Sequence, residues 1–283
     1  MRIKVIVLAL VMLALVGVNP SCKAQEPQIQ SQWNGARVAF LGDSITDEGQ
    51  LPGQEIYWHQ LASILGIKPY CYGISGHQAT HILGQAEKLN AEHGQDVDAI
   101  LIFIGTNDFN SAVPLGEWYK EDSRVVNRNG VMTPLKHRSV VMEGATTRAS
   151  INRFMAYLKH NYPTKQVILL TPIHRGYFNC APDNIQQPED YANPLGLFID
   201  DYIKVIKETA DVWAVPVIDL AAISGLYPML DEHAHYFRNA DTDRLHPNTP
   251  GHLRMAWAIA YQLLGYPARF LPIPEDNTKT NVY

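Results

Sequence analysis

Three cysteines in 283 residues are too few for a disulfide-stapled scaffold, so the fold must rest on a hydrophobic core. Strong charge of either sign is also missing: 23 Lys and Arg stand against 28 Asp and Glu, a formal net charge of −5. Without a long Lys/Arg cluster the chain lacks the electrostatic footprint of a nucleic-acid binder, and a neutral or weakly charged ligand is the expectation. No internal repeat, low-complexity segment or second-domain boundary stands out. Long apolar runs are scarce as well. The longest, Val5 to Val18, is too short for a spanning anchor and is followed at once by a polar segment.

Residues 1–22, with Arg2 and Lys4 ahead of that run and Asn19-Pro20 after it, read as an export signal. Cys22 sits where a bacterial lipoprotein signal places the cysteine that becomes the lipidated first residue. Ordinary cleavage after Ala24 is the other reading, and either one takes the protein out of the cytoplasm, to a periplasmic or outer-surface location or into the medium. Of the other two cysteines, Cys71 follows a strand-like segment and reads as a small buried hydrophobe. A pairing with Cys180 in an oxidising compartment stays open.

What is present is 46% hydrophobic residues, enough for one large core. After a polar tether over 23–35, five short apolar runs recur within 36–283: 36–42, 67–73, 97–105, 166–172 and 215–220. They are β-branched and continuously apolar, as strands buried on both faces should be. Helix-like stretches at 55–66, 79–94, 148–163, 194–214 and 250–265 alternate with them. This pattern predicts an α/β fold, a parallel sheet with helices on both faces and right-handed crossovers. The stretch 109–141, polar and irregular, is expected to be a long loop on the substrate side.

Ligand sites in such sheets gather at the carboxyl ends of the strands. The first run ends in Gly42-Asp43-Ser44, the second in "GISGHQ", the third in "GTND", and "DTDRLHPN" stands just ahead of the last helix. A serine hydroxyl needs a base to take its proton, and the base needs a third group to orient it. His246 suits the first role for Ser44, and Asp243, three residues earlier, suits the second. Attack on a carbonyl builds an oxyanion, for which the Ser44 amide at a strand-to-helix turn, the Gly76 backbone and the Asn107 side chain offer donors. Taken singly, Ser44 is a helix cap, Gly76 a turn glycine and His246 a loop histidine; their complementary roles at neighbouring strand ends favour catalysis.

The blocks "GDSIT", "GISG", "GTND" and "DRLHPN" resemble those of the SGNH/GDSL hydrolase family, from about Arg37 to Leu264. The resemblance implies a three-layer, flavodoxin-like α/β/α sandwich on a five-stranded parallel sheet. It implies Ser44 as nucleophile, Asp243 and His246 as its partners, and Ser44, Gly76 and Asn107 as the oxyanion hole. Cys71 stands where many members carry Asn, a structural position.

Other candidates are weaker. Ser75 lacks the setting of a nucleophile elbow. The pairs His77/His81 and His233/His235 have no further ligand at metal spacing, and the triad chemistry needs no metal or cofactor. Asp47 and Glu48 are expected in the first turn of a helix after the nucleophile, where carboxylates suit the macrodipole. Trp118 and Tyr119 offer stacking faces for a sugar, ahead of Trp58, Tyr72, Tyr177 and Phe178. Arg175 reads as a contact to an anionic or hydroxyl-rich ligand, or as a surface ion pair. The expectation is thus an exported serine esterase acting on short acyl esters, O-acetyl groups on carbohydrate above all. A long-chain acylhydrolase and a non-catalytic, lipid-anchored glycan binder are the alternatives. The partner is a small or polymeric ester, with membrane attachment only through an N-terminal lipid.

Overall fold

A computed structural model describes residues 29–50 and 52–270. The export segment and Cys22 lie outside the described residues. Strands β1 (Arg37–Gly42), β2 (Lys68–Cys71), β3 (Ala99–Phe103), β6 (Gln166–Leu170) and β9 (Val217–Ile218) pair in parallel in the order β2-β1-β3-β6-β9. All five fall inside the five apolar runs. Their side chains divide with a period of two. Val38, Phe40, Leu101, Phe103, Ile168 and Leu170 face one cluster, with helices α1 (Tyr57–Leu65) and α7 (Thr249–Leu263). Ala39, Leu41, Ile100, Ile102, Val167 and Leu169 face the other, with α2 (Ala79–His93), α4 (Thr147–Asn161) and α5 (Ile199–Trp213). Helices on both faces explain why the inner strands β1, β3 and β6 carry no polar alternation.

The chain steps outward from β1 to β2, then returns across β1 to β3 and continues the other way. That reversal opens a crevice between the carboxyl ends of β1 and β3. The short α3 (Thr106–Asn110) begins just past β3.

Two regions depart from the sequence reading. The stretch expected as an irregular loop contains a regular antiparallel hairpin, β4 (Tyr119–Arg128) with β5 (Val131–Val140). Asn129 and Gly130 have φ of 53° and 87°, as a two-residue hairpin turn requires, and "NG" was the available signal. Polar residues on both faces hid the strands, because the hairpin stands clear of the core: Val125, Val131 and Met132 are all more than 60% exposed. Helix α5, in turn, starts at Ile199 and not near 194. Asn193 Oδ1 accepts the Leu195 and Leu197 amides and folds the preceding residues into a turn.

A second sheet was not foreseen at all. β7 (Phe178–Ala181), β8 (Asn184–Gln186), β10 (Phe237–Asn239) and β11 (Asp243–Pro247) form an antiparallel sheet in the order β10-β11-β7-β8. Each strand is at most five residues long, and the sheet is partly exposed, so neither length nor hydrophobicity marks it. The short α6 (Leu220–Ile223) follows β9. Cys71 and Cys180 are both free thiols, one half-buried and one exposed.

Candidate active site

The Ser44 segment begins where β1 runs out. Gly42 has no room for a side chain: a Cβ there would meet Thr46 Oγ1 at 2.5 Å and Phe103 O at 2.8 Å. The chain then makes one isolated turn. Asp43 O accepts the Thr46 and Asp47 amides at 3.0 and 2.9 Å, and Asp43 Oδ1 accepts the Ile45 amide at 3.0 Å. Ser44 therefore sits in a tight turn, and no helix starts there; α1 begins only at Tyr57. Thr46, inside this turn, is pinned from behind by Trp58 Nε1 and Cys71 Sγ, both donating to its carbonyl. Asp47 lies outside any helix, contrary to expectation. Its Oδ1 accepts the Gly49 amide and its Oδ2 the Ser75 amide, so it fastens the "GISG" loop to the nucleophile turn. Glu48 opens a short 3-10 turn, Glu48–Gln50.

Ser44 Oγ lies 3.0 Å from His246 Nε2. His246 Nδ1 lies 3.0 and 3.1 Å from the two oxygens of Asp243, which is fully buried. In a straight strand, residues i and i+3 would face opposite sides. β11 escapes this because Asp243 Oδ1 also accepts the Leu245 and His246 amides at 3.1 and 2.9 Å, bending the segment so that the carboxylate comes under the imidazole. Phe178 of β7 meets the imidazole edge-on, with centroids 5.4 Å apart and planes at 78°.

The other predicted donors face the same crevice. Gly76 has φ of +78°, which a side chain would strain although the space beside it is open. Asn107, in the first turn of α3, donates one Nδ2 hydrogen to His77 O at 3.0 Å, which fixes its amide and leaves the second hydrogen for a ligand. Ser44, Ser75, Gly76, Asn107, Phe178, Asn184, Gln186, Arg238, Leu245 and His246 line one cleft of about 120 Å³.

Three candidates are placed elsewhere. Trp118 and Tyr119 line a separate cavity with Arg138, Arg148 and Glu208, at the base of the hairpin. Trp118 Nε1 donates to Glu208 Oε2 at 2.8 Å, and Arg138 covers the Tyr119 ring, so this pair braces the hairpin and does not line the Ser44 cleft. Arg175 is neither a ligand contact nor a surface ion pair. Only 1% exposed, it donates to Thr106 O and Oγ1 and to Gln186 Oε1, and lies over the Phe109 ring. It joins the residue before Asn107 to the cleft wall. Burial lowers its pKa to about 10, still charged at neutral pH.

The buried carboxyl of Asp43 is the most perturbed group next to the nucleophile. Burial pushes its pKa up to about 7; the Asp108 carboxylate adds to the rise, while the Ile45 amide and Arg175 oppose it. Asp108, also buried, is pushed up to about 6 against the Ala79 amide it accepts. On the far side of the triad, burial lowers His252 to about 3 and keeps it neutral.

Sequence reasoning missed four contributors. Gln85, on α2, bonds both backbone groups of Gly42 and also donates to His77 Nδ1. Asn184, Gln186 and Arg238 come from the unforeseen sheet. Nothing local marks any of them, because their roles arise from tertiary placement alone.

A serine hydroxyl against an imidazole, at the switch point of a doubly wound sheet, is the arrangement of a serine hydrolase, and the family match makes the chain a serine ester hydrolase. It belongs to the GDSL-like lipase/acylhydrolase family, whose sequence model matches residues 40–254. Among curated proteins no sequence matches it significantly. A protein from Lactobacillus plantarum shares the fold with a TM-score of 0.63 at 22% identity, over 82% of this chain and 98% of that one. A protein from Chitinophaga pinensis described as a possible lipase gives a TM-score of 0.60 at 18% identity, over 80% and 97% of the two chains.

Proposed function

We propose that the chain hydrolyses short acyl esters, O-acetyl groups on carbohydrate in the first place, through a covalent acyl-enzyme on Ser44. The observation that carries the proposal is the uninterrupted contact from the Asp243 carboxylate through His246 to Ser44 Oγ, with steps of 3.0 Å. His246 Nε2 takes the Ser44 proton as Oγ bonds to the ester carbon, and the carbonyl electrons move onto oxygen. The Ser44 and Gly76 amides and Asn107 Nδ2 hold that oxyanion. Its collapse breaks the bond to the alcohol oxygen, which leaves with the proton from His246. Water repeats the sequence on the acyl-enzyme, giving the free acid and the starting serine. Asp243 holds Nδ1 protonated, so that Nε2 faces the serine as a base.

The cleft volume supports a short acyl group. A cleft of about 120 Å³ is well below the roughly 300 Å³ at which pockets begin to enclose a drug-sized ligand, and it suits an acetyl group better than a fatty chain. The polar wall of Ser75, Asn184 and Gln186 suits a hydroxylated alcohol. The export pattern of residues 1–22, with Cys22 as lipidation point, supports action outside the cytoplasm on polymeric substrate.

Hydrolysis of p-nitrophenyl acetate, butyrate and palmitate tests both parts. Fast acetate turnover that Ser44→Ala abolishes is the expected result. Turnover that survives Ser44→Ala would overturn the mechanism, and a preference for palmitate would overturn the acyl class. Mass spectrometry of the mature N-terminus decides between lipidated Cys22 and cleavage after Ala24.

A further inference from the structure

The far wall of the cleft offers hydrogen-bond donors. Arg238, on β10, lines the cleft with its side chain 30% exposed. Apart from His246 it is the only ionisable side chain in that lining. Its nearest carboxylate is Asp243 Oδ2 at 3.9 Å, beyond hydrogen-bond reach. Asp243 is in any case engaged by three donors from Leu245 and His246. Arg244, on the neighbouring strand, makes the contrast: it donates to Ala240 O and Pro228 O and pairs with Asp231. Among the described residues, no acceptor takes a hydrogen bond from the Arg238 guanidinium.

A relay of amides adds a second donor. Arg175 can only donate, so Gln186 must turn its Oε1 toward it, at 2.8 Å. Gln186 Nε2 then donates to Asn184 Oδ1 at 3.0 Å. The buried cation thus fixes the direction of both amides, and Asn184 is left with its Nδ2 hydrogens to offer. A half-desolvated guanidinium beside an oriented amide donor favours an anion, and the planar guanidinium fork matches a carboxylate in two parallel hydrogen bonds.

We propose that Arg238 and Asn184 form a carboxylate subsite, and that the ester substrate is an acylated acidic sugar, with the acid group on the alcohol part. The proposal rests on the esterase reading for its orientation, but its test needs no turnover. Calorimetry on the Ser44→Ala chain is to compare trigalacturonate with galactotriose, and with inorganic phosphate as a tetrahedral anion. Trigalacturonate is expected to bind at least tenfold more tightly than galactotriose, and its Kd to rise with added NaCl. Arg238→Gln should bring the two Kd values within about threefold, Arg238→Lys should recover part of the difference, and Asn184→Leu should weaken trigalacturonate alone. Equal affinities in the Ser44→Ala chain would overturn the proposal, as would a difference that survives Arg238→Gln. Phosphate binding tighter than trigalacturonate would overturn the choice of carboxylate. An inactive enzyme that still prefers trigalacturonate would instead count against the esterase mechanism alone.

Discussion

Gln85 closes both backbone polar groups of Gly42, its Oε1 accepting from the amide and its Nε2 donating to the carbonyl, each at 2.8 Å. It does at the end of β1 what a further strand residue would do, and so allows the chain to leave the sheet one residue ahead of Asp43 and Ser44. Gln85→Leu keeps the bulk and strands the Gly42 amide, while the Gly42 carbonyl keeps the Ile74 amide at 3.1 Å. With one buried group left unsatisfied, urea denaturation should show a loss of about 1–3 kcal/mol. kcat should fall in the fraction that stays folded, with KM changed less.

The triad members should fail as a unit. Ser44→Ala and His246→Ala are each expected to lower kcat by at least about 10⁴, and the double variant to be no worse than either. Asp243→Asn should cost about 10³–10⁴, because an amide in that place accepts from Nδ1 less well and can select the wrong tautomer. Steady-state kinetics on p-nitrophenyl acetate reads all four variants.

Asn107→Ala removes the proposed oxyanion donor, whose amide is held by His77 O. A fall in kcat of about 10²–10³ with little change in KM is expected, the pattern of an interaction made mainly in the transition state. A rise in KM at constant kcat would place Asn107 in ground-state binding.

Asp43 should leave a signature in stability against pH. Its carboxyl is raised to about 7 in the folded chain from an ordinary 3.8, so between these values the folded state holds a proton that the unfolded state has lost. Stability from this group is full below about 4 and is lost as pH rises to about 7, at up to about 1.4 kcal/mol per pH unit. The stability of the natural chain relative to Asp43→Asn should decline over that window and level off above it. Thermal melts of both proteins from pH 4 to 8 check the slope.

The hairpin should be dispensable for small esters. Replacing residues 120–139 with a short Gly-Ser linker removes two exposed strands that line no part of the Ser44 cleft. kcat/KM on p-nitrophenyl acetate is expected to stay within about twofold, and a larger loss would show that the hairpin reaches the cleft.

The legible part of this molecule was the part in which periodicity and burial coincide. The three inner strands β1, β3 and β6 are almost wholly buried because helices cover both faces, so each announced itself; topology then dictated where the strand ends would meet. The short strands of the second sheet have no such pattern, and Asp243 and His246 read as loop residues even though their partnership was clear. Arg175 departs from its expected place for a related reason. A lone arginine after a strand looks like a surface group, and only the packing shows that Phe109, Thr106 and Gln186 close around it. Bulk charge pointed to a neutral ligand, and bulk charge says nothing about one guanidinium in one cleft.

Ser44 and His246 lie 202 residues apart, one at the end of β1 and the other just ahead of α7. Trp33 donates to Leu263 O at 2.6 Å and closes the two ends of the domain together. On the proposed roles, a chain emerging from the ribosome displays its serine early and remains inert until β11 has been made and has come to lie beside it. Acyl transfer is thereby silent until β1 and β11 have come together, and its onset is a built-in report that these distant segments have met.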